Sequence, residues 1–405
     1  MYDLIGKDKD EMTLVIGSRE IVMDSGTLVK TMDTGADAFT AIMPWQIGDD
    51  PELDSITGPF KYSNAKIYLG GILQSEQILY KVTQKTDSHG TTKNLEFASK
   101  TADIIDSTVV PPYEENYVKL SDRCKHQCRP FGINVIVGED AAASLVETIK
   151  ITETSGFKMS VKTQKFWDKT VTKEWAPYVD VEPTKKSKYV TDEKKFPRVA
   201  AKPTEEIFTH LSKLAHQCGL LLSCTIHGDL LITKANTKSQ PVGTIEESFL
   251  DGTGLAEQYE AVFDGRKRFS QYRAILKSCG HKKSTYVQLS LDPVVTRPRL
   301  LTFTAHDDIP GGGAVDALWR RNKSAADAMS IDFPVNSWYA PNGDIWSPNT
   351  LVTIISPTMG IKKGFTYLIS QVQFEYKSSG ATAKLQLKPP SVYDNGEIKE
   401  PWIES

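Results

Sequence analysis

Long hydrophobic runs and a surplus of either charge are both missing from this sequence. No apolar stretch approaches the roughly 18 residues that a helix needs to cross a bilayer. Lysine plus arginine number 48 and aspartate plus glutamate number 51, so the net charge is -3. A dedicated nucleic-acid-binding protein is usually clearly basic. The composition therefore favours neither stable membrane association nor nucleic-acid binding as the task of this chain.

Cysteine is also scarce, with five residues in a chain of 405. An odd number at irregular spacing argues against a disulfide framework and favours reduced, mostly buried thiols. Residues 1–10 are polar and acidic and lack the basic-then-apolar pattern of a signal peptide. We therefore expect a protein that is made and kept in a cytosol, or built into a particle assembled there.

Common catalytic motifs are missing as well. The sequence contains no G-x-S-x-G, H-E-x-x-H, P-loop or complete G-x-G-x-x-G pattern. Asp307 and Asp308 could act as an acid and a base, but adjacent carboxylates on a loop point apart. The glycine run 311–313 follows a polar stretch instead of an apolar strand, which disfavours a phosphate cradle. We predict no catalytic residue, no cofactor and no enzymatic activity.

One group of cysteines and histidines offers a zinc alternative. Cys124, His126 and Cys128 form C-x-H-x-C, and His216 with Cys218 could be a second ligand pair. Neither group has the two-to-four-residue spacing of paired zinc ligands. We favour the interpretation that the cysteines are helix core positions, and we predict no metal site.

Basic runs are the remaining candidates for a binding surface. They lie at 266–268, 320–321 and 185–188, and Trp319 beside the second run could stack on a nucleic-acid base. Because the net charge is -3, solvated faces or salt bridges between subunits are the favoured interpretation.

The order of strand and helix patterns predicts an α+β fold that is mainly β, within the roughly two to four domains expected for this length. Residues 1–100 are typical of an all-β domain, and 101–236 of an α/β domain with an exposed, proline-punctuated insertion at about 150–202. Residues 237–393 form a β-rich region, and 394–405 a polar tail. Apolar spacing predicts helices over 100–107, 116–127, 203–219 and 314–329, and a strand over 131–137.

The last folded stretch, 343–393, carries three strand patterns, and a related pattern occurs earlier in the chain. When the sequence is shifted by 290 positions, Gly90 falls on Gly380, and the apolar positions on either side fall on apolar positions. A slip of one residue would turn each strand inside out, so a shared phase is stronger evidence than shared letters. We infer two related β domains, one near each end. Three such chains could form a ring with near six-fold geometry.

Aromatic residues cluster in and beside the second copy. Trp338, Tyr339 and Trp346 flank two turns, and Phe374 and Tyr376 lie on the apolar side of a strand. A local core beneath the hairpin is one interpretation. A contact between subunits is the other, because tryptophan and tyrosine are enriched at interfaces.

These residues give the chain a resemblance to the baseplate central hub proteins of Mu-like contractile phages and prophages, the late-control-protein-D or tail hub family. The C-terminal part of the resemblance consists of a Trp, a Gly-x-x-Trp-x-Pro-Asn turn, a Pro-x-x-Gly-Ile turn, a glycine hairpin and a closing Leu-x-Leu with Pro. Its positions are Trp338, Gly343, Trp346, Pro348, Asn349, Pro357, Gly360, Ile361, Gly380, Leu385, Leu387 and Pro389. Further blocks are 99–103, 129–133, 205–233 and Trp319-Arg320, while 150–202 is longer than usual in the family.

The resemblance implies a homotrimer similar to the central hub of T-even phage baseplates. Each subunit would supply two tail-tube-like β-barrel domains to a ring-shaped trimer, and the α/β region would flare into a cup that holds the trimeric spike. We therefore expect a structural adaptor in the virion tail baseplate, assembled in the bacterial host cytoplasm. It would join the six-fold tail tube to the three-fold spike, contact other baseplate proteins and enclose a channel through which DNA passes only as cargo.

On this interpretation the candidate subunit-interface or tube-wall residues are Trp338, Tyr339, Trp346, Phe374 and Tyr376. Two alternatives come from other functional classes. One is a tail-associated enzyme that degrades cell walls, which needs a carboxylate pair or a metal in a cleft. The other is a monomeric carbohydrate-binding module.

Overall fold

The computed structural model describes residues 8–46, 48, 50–87, 90–162, 178–247, 260–278, 286–307, 312–378 and 380–393. It divides into two compact units, one made of Met1–Ser144 with Lys195–Ser405 and the other of Leu145–Lys194. Several sequence predictions lie wholly or partly outside the described residues: Asp308, Gly311, the middle of the insertion 150–202 and the tail 394–405.

The first hundred residues are mostly strands. Their elements are β1 Met12–Ile16, β2 Arg19–Ile21, β3 Ser25–Thr31, β4 Ala38–Pro44, α1 Pro51–Ile56, β5 Asn64–Leu69, β6 Ile72–Asp87 and β7 Gly90–Ala98. Buried and partly exposed side chains alternate along β3, β4 and β7, as expected for strands with one face on the core.

Helices and short strands follow. These elements are α2 Ala102–Asp106, β8 Glu114–Lys119, α3 Leu120–Cys128, β9 Val135–Val137, α4 Glu139–Leu145, β10 Val146–Lys162, β11 Tyr178–Glu193, β12 Lys195–Ala200, α5 Ile207–Gln217, β13 Leu221–Cys224 and β14 Leu230–Thr233. The second compact unit is the ribbon of β10 and β11, which pair antiparallel with one register shift between Thr154 and Gly156.

The C-terminal elements return to strands. They are β15 Thr244–Glu246, β16 Glu260–Phe263, β17 Gln271–Ser278, β18 Tyr286–Leu291, β19 Leu300–Asp307, α6 Gly312–Asp327, β20 Met329–Val335, β21 Leu351–Ser356, β22 Ile361–Lys377 and β23 Gly380–Lys388. Three short 3-10 helices occupy Arg129–Phe131, Gly265–Lys267 and Pro390–Val392.

Two of the predicted elements differ from the structure. The helix expected over 116–127 begins only at Leu120, because the residues before it belong to β8, which pairs with β12. The strand expected over 131–137 is shortened to β9, since Gly132 turns the chain in the left-handed region at φ 64°. In both places a long-range strand partner or a turn overrides the local apolar pattern.

A single 13-stranded sheet contains both β-rich ends of the chain. Its main path runs β16-β20-β23-β22-β3-β4-β7-β6-β5-β1-β2, with β21 beside β22 and β15 beside β21. The C-terminal strands join the N-terminal ones through antiparallel pairing of β22 with β3. Within the described residues this path has two ends and does not close. The structure therefore replaces the expected pair of separate barrels with one open sheet, because β3 and β22 share their edges.

The main hydrophobic core lies against one face of this sheet. It combines residues from both ends of the chain, including Leu14, Phe39, Phe97, Phe333 and Leu385, all at most 3% exposed. A core shared by both ends explains why they fold as one unit.

Candidate subunit interface

The two long hairpins of the sheet share one register. In the first, Val82 pairs with Leu95, and Asp87 pairs with Gly90. In the second, Val372 pairs with Leu385, and Lys377 pairs with Gly380. Every described pair of one hairpin has its counterpart 290 positions later in the other, which is the difference between Gly90 and Gly380. The repeat inferred from the sequence is therefore present in the backbone pairing.

The hairpins also share an irregularity. Each ladder skips one residue on its first strand, between Leu79 and Lys81 in β6 and between Ile369 and Gln371 in β22. The skipped residues, Tyr80 and Ser370, are again 290 positions apart. A β-bulge re-aims its strand and raises the local twist, so both hairpins bend at the same place.

The flanking strands extend the repeat to five strands in each half. Phe39 of β4 pairs with Phe97, and Ile331 of β20 pairs with the equivalent Leu387. On the outer side, β3 pairs with β4 as β16 pairs with β20. The N-terminal half thus runs β3-β4-β7-β6-β5, and the C-terminal half runs β16-β20-β23-β22-β21.

The two halves meet where residues 371–376 of β22 pair with residues 26–31 of β3. Phe374 and Leu28 are opposite each other in this ladder, and both are fully buried. This junction is an edge-to-edge contact between repeats, stabilised by a complete strand ladder and by burial of the apolar face.

The five candidate interface residues lie around the second hairpin. Trp338 is fully buried, and its indole Nε1 donates to the carbonyl oxygens of Thr382 at 3.0 Å and Glu375 at 3.3 Å. Trp346 is 2% exposed and donates to the carbonyl of Ser337 at 3.1 Å. These side chains tie the loop before β21 to the hairpin.

The other three candidates have different exposure. Phe374 is buried in the shared core, whereas Tyr339 and Tyr376 are half-buried. Tyr376 lies 6.4 Å from Trp338 between ring centroids, and the Tyr339 hydroxyl donates to the Lys9 carbonyl at 3.3 Å. All five contact the chain's own residues, and their role between subunits or in a tube wall stays a prediction.

The sheet face opposite the core carries lysines paired with carboxylates, a feature that the sequence analysis did not identify. Lys81 contacts Glu96 across β6 and β7 at 2.7 Å, and Lys384 contacts Asp332 across β23 and β20 at 2.8 Å. Cross-strand ion pairs of this kind need strands in register, so residue types alone do not reveal them.

A further ion pair lies within β22, near the turn of the second hairpin. The Lys377 ammonium contacts the Glu375 carboxylate at 2.5 Å, and this hydrogen bond is the main cause that lowers the pKa of Glu375. The Glu375 carboxylate therefore stays charged near neutral pH. This polar face thus combines charges of both signs at short range instead of one uniform field.

One buried carboxyl, that of Asp37, lies beside the Cys224 thiol of β13, where the N-terminal half meets the α/β elements. Asp37 is 3% exposed, and its backbone N–H donates to the Ser99 hydroxyl at 3.1 Å. Burial raises the pKa of Asp37 to about 6, although nearby Lys30 and the Thr31 N–H oppose the shift. No sequence pattern indicates this site, because Asp37 stands in an ordinary turn segment.

The cysteines and histidines considered as zinc ligands lie on helices α3 and α5 or directly after α5. Cys124 and Cys128 are fully buried on α3, and burial raises the pKa of the Cys128 thiol to about 12. His216 stacks on Trp319 with ring centroids 3.7 Å apart, and burial lowers its pKa to about 3. Among the described residues, no group of three or more histidines, cysteines and carboxylates is arranged to hold a metal.

The stacked pair also bears on the nucleic-acid alternative. The Trp319 ring already contacts His216, and the Arg320 guanidinium lies 4.3 Å from the Phe303 ring centroid. Both side chains are engaged within the chain.

None of the helices in the described ranges combines the length and the apolar character required to span a bilayer.

The chain is similar to several phage tail proteins. The family described as Mu phage baseplate assembly protein GpP, fourth domain, matches residues 314–396. Baseplate hub protein gp44 of Escherichia phage Mu is 25% identical over 182 residues, which cover 41% of this chain and 45% of that protein. The match thus spans less than half of the Mu protein's length.

Solved structures share the fold over nearly the whole chain. The 43 kDa tail protein of prophage MuSo2 from Shewanella oneidensis has a TM-score of 0.69 and 20% identity, covering 95% of this chain and 100% of that chain. The E. coli c3393 protein is described as a component of the type VI secretion system with structural similarity to T4 bacteriophage tail proteins gp27 and gp5. It has a TM-score of 0.50 and 10% identity, covering 96% of this chain and 80% of that chain. The resemblance to Mu-like baseplate hub proteins is confirmed.

Proposed function

We propose that this chain is the structural hub of a contractile phage or prophage tail baseplate. It acts as a homotrimeric adaptor between a six-fold tail tube and a three-fold spike. The observation that carries this proposal is the repeat of five strands in one register, joined by the β22–β3 ladder. A chain with two equivalent halves has the symmetry that such an adaptor needs, because three chains present six similar units around one axis.

In this proposal the two ends of the chain build the ring wall. Residues 1–100 and 237–393 supply the two tube-like halves, which become barrel-like only when the ring closes across subunits. The α/β region 101–236 flares towards the spike, with 150–202 as its exposed insertion and 394–405 as a polar tail. The spike is the proposed partner of this region, and the similarity of the E. coli c3393 protein to two different T4 tail proteins, gp27 and gp5, supports partners within a tail. The tail tube and other baseplate proteins are the remaining partners.

The polar face of the sheet suits the wall of a DNA channel. Strong binding of phosphates would retard the passage of DNA, whereas the paired charges Lys81–Glu96 and Lys384–Asp332 offer little net attraction. In this proposal the chain acts as a structural adaptor between two symmetries and not as an enzyme. Its location is the virion tail baseplate, after assembly in the host cytoplasm.

Electron microscopy together with sedimentation of the purified chain tests the proposal. We expect a trimer that forms a three-fold ring with an open axis. A compact monomer without a channel at micromolar concentration would contradict the hub and favour the carbohydrate-binding alternative. Clearing of a peptidoglycan suspension by the protein would favour the cell-wall enzyme instead.

A further inference from the structure

We propose that neighbouring copies of this chain join by antiparallel pairing of the outer edge of β6 in one copy with the outer edge of β16 in the next. This inference rests on the trimer of the proposed function and adds the strands and the register that hold it together. It follows from the junction already present inside the chain, where the equivalent strands β22 and β3 pair.

The two edges are exposed in the described part of the chain. Beyond Ile78, β6 pairs with β7 along one edge, and no described strand covers its other edge. Likewise β16 pairs with β20 and forms one end of the sheet path. Gln84 is exposed in β6, whereas Phe374, its equivalent in β22, is buried against β3. Gln84 is exposed because this edge of β6 lacks a neighbouring strand, whereas the equivalent edge of β22 is covered by β3.

The internal junction fixes the register of the external one. Leu28 of β3 pairs with Phe374 of β22. Ala261 is the β16 counterpart of Leu28, since each pairs with the equivalent residue of the next strand, Ile331 or Phe39. Ala261 should therefore face Gln84 of the neighbouring copy. The other pairs of the ladder follow: Lys81 with Asp264, Val82 with Phe263, Thr83 with Val262, and Lys85 with Glu260.

The side chains brought together by this register are complementary. Two lysines of β6 face two carboxylates, Glu260 and Asp264. Asp264 keeps its negative charge at all ordinary pH values, because hydrogen bonds from Arg266 lower its pKa to about 2. Opposite charges placed directly across an antiparallel ladder stabilise it.

Apolar side chains add to the match. Val262 is 46% exposed and Phe263 is 55% exposed, which is unusual for large apolar residues on a sheet edge. Phe263 also lines a cavity of about 420 Å³ together with Met329 and Met359. The proposed register sets Val82 of the neighbour beside Phe263, so pairing covers this apolar edge.

The charges also specify which edges combine. Pairing of β6 with a second β6 would bring lysines together, and pairing of β16 with a second β16 would bring carboxylates together. Like charges across a ladder are destabilising. The contact is thus head-to-tail, and head-to-tail contacts close into rings when the rotation between copies allows it. Three copies would then align eight strands each, from β16 to β6, in one closed wall.

Disulfide trapping tests the register directly. We expect the full chain carrying Thr83→Cys and Val262→Cys to form covalent dimers and trimers under mild oxidation, as read on non-reducing gels. Six strands separate β16 from β6 in the sheet, so a bond between the two positions within one chain is not expected. Each single variant, and the parent with its native cysteines, serves as a control. The pair Thr83→Cys with Ala261→Cys is shifted by one residue and points to opposite faces, so it should not cross-link.

The outcomes separate this inference from the proposed function. Trimers seen by sedimentation without cross-linking of the in-register pair, or equal cross-linking of the shifted pair, would overturn the ladder and leave the hub standing. A chain that forms no trimer at all would overturn both.

A charge exchange gives an independent measurement. Lys85→Glu and Glu260→Lys should each raise the concentration for half-assembly about three- to tenfold, and the double variant should return close to the parent value. Because the double variant restores opposite charges with both residues changed, a simple folding defect cannot imitate the rescue. A double variant that assembles as poorly as the two single variants combined would overturn the proposed pairing.

Discussion

Asp37 is a single residue whose ionisation should control a measurable part of this protein's stability. It is 3% exposed, and burial raises its pKa to about 6 from an ordinary value near 3.8. Between these two values the folded state binds a proton that the unfolded state releases. The free energy of unfolding should therefore fall as the pH rises from about 4 to above 6.

We expect Asp37→Asn to stabilise the protein at pH 8, because the variant no longer buries a charge there. A shift of about two pKa units corresponds to about 3 kcal/mol as an upper value. Urea unfolding at pH 8 and pH 4.5 measures the effect, which should shrink strongly at the lower pH. A variant that is less stable than the parent at both pH values would show that the carboxylate is stabilising. Asp122→Asn, at an exposed position on α3, is the control.

Trp338 is the largest fully buried side chain in the described part of the chain, and it packs against the second hairpin. It is fully buried and donates one indole hydrogen to two carbonyl oxygens of β22 and β23. Trp338→Ala should lower the free energy of unfolding by about 3–5 kcal/mol, since it leaves a large cavity and two carbonyls without this donor. Urea unfolding measures the loss. Tyr339→Phe, which removes one partly exposed hydrogen bond, should cost about 0.5 kcal/mol. Comparable losses in both variants would contradict the core role of Trp338.

At the scale of elements, the two hairpins should respond alike to the same change. Gly90 has φ 137° and Gly380 has φ 129°, a backbone conformation that side chains rarely adopt. Alanine at either position should destabilise the fold by at least about 1 kcal/mol, although no described atom lies within 4 Å of the added methyl group. Thermal or urea unfolding should give similar losses for both variants.

Gly265→Ala is the matched control for this pair. The position is equally open, but its φ lies outside the left-handed region, so alanine should be neutral or slightly stabilising. A loss at only one of the two hairpin glycines would contradict equivalent turns.

The sequence predicted the repeat because strand side chains alternate with a period of two. Positions such as Leu95 and Leu385 therefore keep their phase even where the letters differ. The same reasoning missed the bulge at Tyr80 and Ser370, whose side chains have nothing in common. A bulge is set by the neighbouring strand and its twist, and one strand's pattern does not contain that information.

The pairing of β3 with β22 could not be predicted from the sequence either. It joins Leu28 to Phe374 across more than three hundred residues, and both strands show only ordinary apolar alternation. Many edges with this alternation could pair, so the pattern alone predicted two separate β domains. For the aromatic cluster, the sequence identified Trp338 and Trp346 as candidate residues but did not predict that they are buried. Their burial depends on the loop that folds over the hairpin.

At the scale of the whole molecule, a sheet whose described part has two uncovered strand edges of different character, on β6 and on β16, is a unit prepared for assembly. Exposed strand edges invite pairing with another chain, and natural proteins normally protect them with charges or short strands. Here the charges on β6 and β16 have opposite signs, so they protect against self-pairing and permit one complementary contact. The same strands carry the polar face, which therefore becomes continuous when the edges pair.

That face should not bind DNA firmly if it lines a channel. We expect the assembled parent to bind a labelled DNA duplex more weakly than about 10⁻⁴ M at physiological salt, as measured by fluorescence anisotropy. Glu96→Gln with Asp332→Asn removes the carboxylates beside Lys81 and Lys384. It should increase the affinity and make it steeply dependent on salt.

The control for the DNA experiment makes the same change in charge away from the sheet. Asp122→Asn with Glu139→Gln, both at exposed helical positions, should leave DNA binding unchanged. An equal gain in affinity from the control would mean that net charge alone sets the interaction. Micromolar binding by the parent itself would contradict a channel through which DNA passes as cargo, because each held phosphate contact slows that passage. The expected result is weak DNA binding by the parent and stronger binding only in the variant that lacks the carboxylates beside Lys81 and Lys384. That result would show that the paired charges of this face keep DNA from binding, as free passage requires.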